Sequence, residues 1–272
     1  MGDLTRTPGE PGDPAGVPGD WPGLLRRIRE ATPARVLVGR AGPSYRTSTL
    51  LELRQDHAAA LDAVRTELDL GRDLGREFVE RWGLFEAATR ARSKDEYLAR
   101  PDLGRDLADH SVADVLRRCA PGADLQVAIG DGLSSSAVAV QVPRLLPALE
   151  AEARRRAWTF GQPFVIRHCR VGILNAIGDR LDPVVAVLLI GERPGLATAE
   201  SLSAYMAYRP RAGHNDSHRN LISNIHDRGV PPDLAAPRII ALAERLRQHR
   251  ASGVAVKECG PPPPPRAELP GD

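Results

Sequence analysis

Leu125 to Ser135 reads LQVAIGDGLSS, a short apolar run from Leu125 to Ile129 halted by Gly130-Asp131-Gly132. A run of that length bounded by glycine reads as a buried strand followed by a turn. Three further apolar runs follow: Phe164 to Ile166, Val184 to Ile190 and Ala204 to Tyr208. Helical patterns around Leu145 to Arg156 and Ile239 to Arg247 alternate with them. This alternation predicts an α/β fold with a mainly parallel sheet covered by helices. Pro143 and Pro147 would break a helix interior, so the first covering helix is expected to begin near Pro143 and run to about Ala157.

Upstream, from Trp21 to about Ala120, the patterns are helical. The clearest is Leu50, Leu53, His57, Leu61, Val64 and Leu68, at three- and four-residue steps. Thr49 and Glu52 have the spacing of a capping box at its start. His57 lies on the apolar stripe and is expected to be a packed, hydrogen-bonded residue, not a ligand. Residues 1–20 alternate glycine, proline and charge, with little apolar surface to offset the entropy of ordering. Pro261 to Pro265 favours an extended conformation with no core to join. The expected organisation is a disordered lead over 1–20, a helical region over 21–120, an α/β domain over 121–258 and a disordered Pro-rich tail over 259–272.

The chain has 272 residues, 42% of them hydrophobic, enough for a real core. Its 37 basic and 35 acidic residues are interleaved, which disfavours nucleic-acid binding. The longest apolar run falls far short of the ~20 residues needed to cross a bilayer. No secretory or myristoylation pattern opens the chain, so an intracellular location is expected. Cys119, Cys169 and Cys259 are few and widely spaced, suggesting reduced, inert thiols.

Ligands of open α/β sheets bind beyond the carboxyl ends of the strands, which singles out three segments. Gly130 to Ser135 has two glycines of a dinucleotide fingerprint but Ser135 in place of the third. A phosphate on the following helix and an ordinary strand-to-helix turn are both open readings. Gly191-Glu192-Arg193-Pro194-Gly195 offers a carboxylate and a guanidinium, either to the amides and hydroxyls of a large polar cofactor or to each other in a solvated ion pair. The segment Arg211 to Gly229 carries His214, His218, His226, Asp216 and Asp227, yet it reads as polar surface loop, not as a converging metal site. Two strings approach the pattern Asp-x-His-x-x-Gly by which some cobalamin domains ligate cobalt. The string from Asp216 lacks the glycine, and that from Asn224 to Gly229 lacks the aspartate. Ser134 to Ser136 does not form a nucleophile elbow.

Gly39 to Pro43, Tyr97 to Arg105 (YLARPDLGR), Asp131 to Ser134, Gly191 to Leu196, Glu200 to Ser203 and Ile222 to His226 together resemble the ethanolamine ammonia-lyase small subunit, over roughly Leu24 to Val256. The resemblance implies a helical N-terminal part and a Rossmann-like C-terminal domain. It further implies assembly with a barrel-forming large subunit into a hetero-oligomer that uses adenosylcobalamin to convert ethanolamine to acetaldehyde and ammonia by a radical mechanism. In that family the cobalamin lies between the chains and keeps its own base as lower ligand of cobalt, and ethanolamine is bound by the large subunit. Carried over by position, the small-subunit cofactor contacts fall on Val171, Glu192 and Leu221, with leucine at 221 where the family pattern has cysteine. No catalytic or metal-ligating residue is carried over to this chain, and it is not expected to be active alone. The location implied is the cytoplasm or a bacterial microcompartment. The alternatives are a stand-alone dinucleotide-binding oxidoreductase, suggested by Gly130 and Gly132, and a noncatalytic cobalamin carrier.

Overall fold

The computed structural model describes residues 20–32, 36, 38–195 and 198–258. The lead over 1–19, the tail from Cys259 and the position of Leu196 lie outside the described residues. The chain divides into two compact units, Met1–Leu51 and Glu52–Asp272.

In the first unit, helix α1 (Trp21–Ala31) starts where Asp20 accepts a hydrogen bond from Gly23 N, with Pro22 in the first turn where no amide is missed. Strands β1 (Arg40–Ala41) and β2 (Ser44–Tyr45) form a small antiparallel hairpin, turned at Gly42 with φ +60°. Helix α2 (Thr47–Arg65) follows, with its residues from Glu52 onward belonging to the second unit, and buries none of its residues. Leu50, His57 and Leu61 of the stripe read from the sequence are exposed, so His57 is not packed, whereas Leu68 lies beyond the end of the helix and is buried in the core. The helix also starts two residues ahead of Thr49. Thr49 and Glu52 therefore lie inside the helix and do not cap its start.

The second unit is built on a six-stranded sheet in the order β3-β5-β4-β6-β7-β8. These strands are β3 (Glu86–Ala88), β4 (Leu125–Gly130), β5 (Phe164–Arg167), β6 (Val185–Gly191), β7 (Leu202–Tyr208) and β8 (Asn220–Ile225). The first four in the spatial order are parallel. β6-β7 and β7-β8 are antiparallel, so the sheet is mixed. Among the described residues, the links from β6 to β7 and from β7 to β8 contain no covering helix, and a parallel return needs such a crossover.

Helices cover both faces. On one lie α6 (Ser135–Arg155) and α8 (Pro232–His249), packed on Leu125, Val127 and Ile129 of β4 and on Val185, Val187 and Leu189 of β6. On the other, α5 (Asp109–Arg118) and α7 (Ile173–Leu181) pack on Ala128, Ile166, Ala186 and Leu188. β4 and β6 are thus buried on both sides, which is why they read as nearly unbroken apolar runs. Two short α-helices, α3 (Arg76–Trp82) and α4 (Lys94–Ala99), also belong to this unit.

The start of α6 corrects the sequence expectation: the helix begins at Ser135 and runs through both Pro143 and Pro147. Each internal proline costs about 3 kcal/mol. Val138, Val142, Leu145, Leu146 and Leu149 are all fully buried along one face, and each such side chain is worth about 1.5–3 kcal/mol. Burial outweighs the lost backbone bonds. The segment expected to be loop also contains β8, a partly exposed strand at the sheet edge.

Candidate functional site

The chain leaves β4 through α6 to reach β5 on one side, then leaves β5 through α7 to reach β6 on the other side of β4. The carboxyl ends of β4 and β6 therefore mark a topological switch point, where open α/β sheets form their ligand crevice. A cavity of about 320 Å³ lies there. Gly132 and Leu133 line it beyond β4, Arg170 and Val171 beyond β5, and Glu192 beyond β6; Tyr205 and Leu221 add walls from β7 and β8. The three positions carried over by resemblance, Val171, Glu192 and Leu221, are thus brought together in one cavity. Leu221 is 42% exposed and offers its side chain as apolar surface.

Glu192 is half-buried and is not spent on Arg193. Its carboxylate accepts Ser201 Oγ at 2.8 Å, Ser203 Oγ at 2.5 Å and Asn224 N at 2.9 Å. Asn224 reaches it from a left-handed conformation, φ +61°. A carboxylate has about four acceptor positions, so one remains for a ligand donor. Burial, and then the charges of Glu192 and Asp216, push the Tyr205 phenol above its ordinary pKa, leaving it a neutral hydroxyl at physiological pH.

The turn after β4 is occupied by its own fold. Asp131, fully buried, accepts the backbone N–H groups of His168 and Cys169 at 3.0 and 2.9 Å and lies 3.7 Å from Lys94 Nζ. Lys94 also donates to Gly132 O. Gly132 has φ +55°, and a Cβ there would stand 2.4 Å from Gly191 O. Ser134 caps α6 by accepting Ala137 N, and the Ala199 carbonyl sits against the Ser134 and Ser136 hydroxyls. The helix start is covered, and the ordinary strand-to-helix turn is the reading that fits, not a dinucleotide phosphate site.

The histidines do not converge. His214 and His218 stack with ring centroids 4.7 Å apart, His218 Nδ1 bonds Asn215 Oδ1, and His226 Nε2 bonds Asn224 Oδ1 at 2.7 Å. Among the described residues no group of three or more His, Cys, Asp or Glu side chains could hold a metal ion. None of their helices is long and apolar enough to cross a membrane. Cys119 and Cys169 are buried and unpaired, and burial raises both thiol pKa values, that of Cys119 to about 11.

A family model described as ethanolamine ammonia-lyase light chain (EutC) matches residues 23–257. The chain belongs to the ethanolamine ammonia-lyase light-chain family. Among its relatives, a protein of Listeria monocytogenes named ethanolamine ammonia-lyase small subunit is 38% identical over 240 residues, 88% of this chain and 80% of the relative. A protein of Clostridium acetobutylicum with the same name is 34% identical over 233 residues, 86% of this chain and 94% of the relative. One of Clostridium perfringens is 38% identical over 230 residues, 85% and 76%. The resemblance read from the sequence is thereby shown.

The light-chain family match spans every wall of the cavity. Sequence reasoning missed Arg170, Ser203 and Tyr205. The turn after β5, residues 168–172, stands beyond a strand end like the three segments singled out, so the same rule could have found Arg170. Ser203 and Tyr205 lie inside a strand, where only the sheet order shows that they face the switch point.

Proposed function

We propose that this chain is the small subunit of an adenosylcobalamin-dependent ethanolamine ammonia-lyase, a carbon–nitrogen lyase active only with its large subunit, and that it holds one edge of the cofactor. The observation that carries the cofactor role is the meeting of Val171, Glu192 and Leu221 in one cavity at the switch point. The residues fit the group. A corrin presents an apolar ring edge fringed by amide side chains. Val171 and Leu221 supply apolar contact, the remaining acceptor position of Glu192 suits an amide N–H, and Tyr205 and Arg170 suit amide carbonyls.

Cobalamin is several times larger than this cavity, which supports an arrangement in which the rest lies against the large chain. The parallel part of the sheet, with its switch between β4 and β6, is read as the Rossmann-like core of the cofactor-holding domain. When bound, adenosylcobalamin supplies the radical chemistry. The residues of this chain orient the corrin edge and help exclude water from it, and no catalytic residue is assigned to them. Ethanolamine is assigned to the large subunit, and the location to the cytoplasm or a bacterial microcompartment.

The test is ethanolamine deamination by this chain, by a cognate large chain and by both together, each with adenosylcobalamin, followed by acetaldehyde release. Turnover confined to the mixture is the expected result. A folded mixture that forms no complex and shows no turnover sinks the proposal. Stable cobalamin retention by the isolated chain would instead favour a noncatalytic carrier.

A further inference from the structure

A second cavity, of about 430 Å³, adjoins the first and shares Arg170 and Val171 with it. Its walls carry Arg105, Arg170 and Arg219 against one carboxylate, Asp216. The Arg219 side chain is only 5% exposed. Its terminal nitrogens pair with Asp216 and donate to Asn175 Oδ1 at 3.1 Å, while its Nε is buried without a partner. Arg170 lies over the Tyr97 ring at 4.2 Å, and its Nε is likewise buried and unpartnered. Among the described residues neither Arg105 nor Arg170 forms an ion pair with a carboxylate. α7 begins at this wall, and its first amides are already held by the carbonyls of Arg170, Val171 and Gly172, so the positive charge of the wall is that of the guanidinium groups. Burial lowers the proton affinity of Arg219, and Arg105 lowers it further, so an anion here would relieve a real electrostatic cost.

Three guanidinium groups against one carboxylate in a partly enclosed space match a tetrahedral oxyanion, since the planar fork of arginine pairs two oxygens at once. We propose that this second cavity is a phosphate-class anion site and that, on the cobalamin reading above, its occupant is the phosphodiester of the cofactor's nucleotide tail. The shared wall at Arg170 and Val171 lets one ligand lay its corrin edge in the first cavity and its tail phosphate in the second.

The test uses the assembled complex with the large chain and compares cobalamin with cobinamide, the corrin lacking both nucleotide and phosphate, by spectrophotometric titration. Arg105 is exposed, so its replacement leaves the fold intact. Arg105→Gln is expected to weaken cobalamin about tenfold and leave cobinamide unchanged, with Arg105→Lys recovering part of the loss. A calorimetric titration with inorganic phosphate alone separates the two sources. Saturable phosphate binding lost in Arg105→Gln, with both corrinoid affinities unmoved, keeps the anion site but assigns it to free phosphate. Equal weakening of both corrinoids, or no change in either together with no phosphate binding, overturns the proposal. If the unaltered complex binds neither corrinoid, it is the cofactor reading that fails, and the phosphate titration still decides the anion site.

Discussion

Glu192 ties the turn after β6 to β7 and β8, through the hydroxyls of Ser201 and Ser203 and the amide of Asn224. From the string Gly-Glu-Arg-Pro-Gly a solvated turn was an open reading, because the donors that hold the carboxylate lie 9 to 32 residues away. The consequence is two separable mutant effects. Glu192→Ala strands buried donors, each costing about 1–3 kcal/mol, so it is expected to lower both the unfolding midpoint in denaturant and cobalamin retention by the assembled enzyme. Glu192→Gln keeps an acceptor oxygen of the same reach, so the fold is expected to hold while cobalamin affinity falls about tenfold. An unchanged affinity in the Gln variant would reduce Glu192 to a clamp of the turn. Of the cavity's residues, Val171, Glu192 and Leu221 were carried over by position from the family resemblance, whereas Arg170 was missed, although its place after a strand could have singled it out. Tyr205 was not legible, since a tyrosine inside an apolar run carries no sign of which face it takes.

At the level of elements, the turn after β4 and the end of β6 are locked by contact between their backbones. Gly132→Ala is expected to destabilise the chain by about 2 kcal/mol or more, read from a denaturant melt, because the new Cβ meets Gly191 O and sits at positive φ. A loss below about 0.5 kcal/mol, ordinary for a surface change, would mean that the turn shifts freely. Asp124 makes a second lock, where Thr159 and Arg247 of α8 meet the start of β4. Burial raises its pKa, but the hydrogen bonds from Thr159 and Arg247 outweigh that and hold the carboxyl below its ordinary value. A group depressed in the folded state stabilises fully above the unfolded value of about 3.9, and its contribution fades as the pH falls through the folded value. Asp124→Asn should therefore flatten the acid limb of the stability profile, and an unchanged slope below pH 4 would exclude this linkage. The elements that were legible are those whose burial is continuous: β4, β5, β6 and β7 stand in the sequence as apolar runs. β8, at an edge, breaks the two-residue alternation of a strand, with Leu221-Ile222 adjacent and Ser223-Asn224 adjacent, so it reads as loop. α7 is nine residues long with Gly178 inside, required because a Cβ would stand 1.8 Å from Pro210 O; Ile173, Leu174, Ile177 and Leu181 do recur at helical steps, but over too short a span to stand out beside the longer runs. The start of α6 was hidden by prolines whose cost the buried face overrides.

Over the whole molecule, the cavity at the switch point is open on one side and smaller than the cofactor it is proposed to hold. The isolated chain is accordingly expected to retain no cobalamin through gel filtration, while its complex with a large chain retains it. Stoichiometric retention by the chain alone would count against a shared site. A subunit of this kind must also survive the interval before it meets its partner, and the two rims of its sheet bear on that. β3, at one rim, is three residues long. β8, at the other, pairs with β7 through a register shift and carries left-handed Asn224 one residue before its end. Neither rim presents a long, flat row of free backbone groups on which a second copy could add strands, so the unassembled chain is guarded against growing into sheet-to-sheet aggregates.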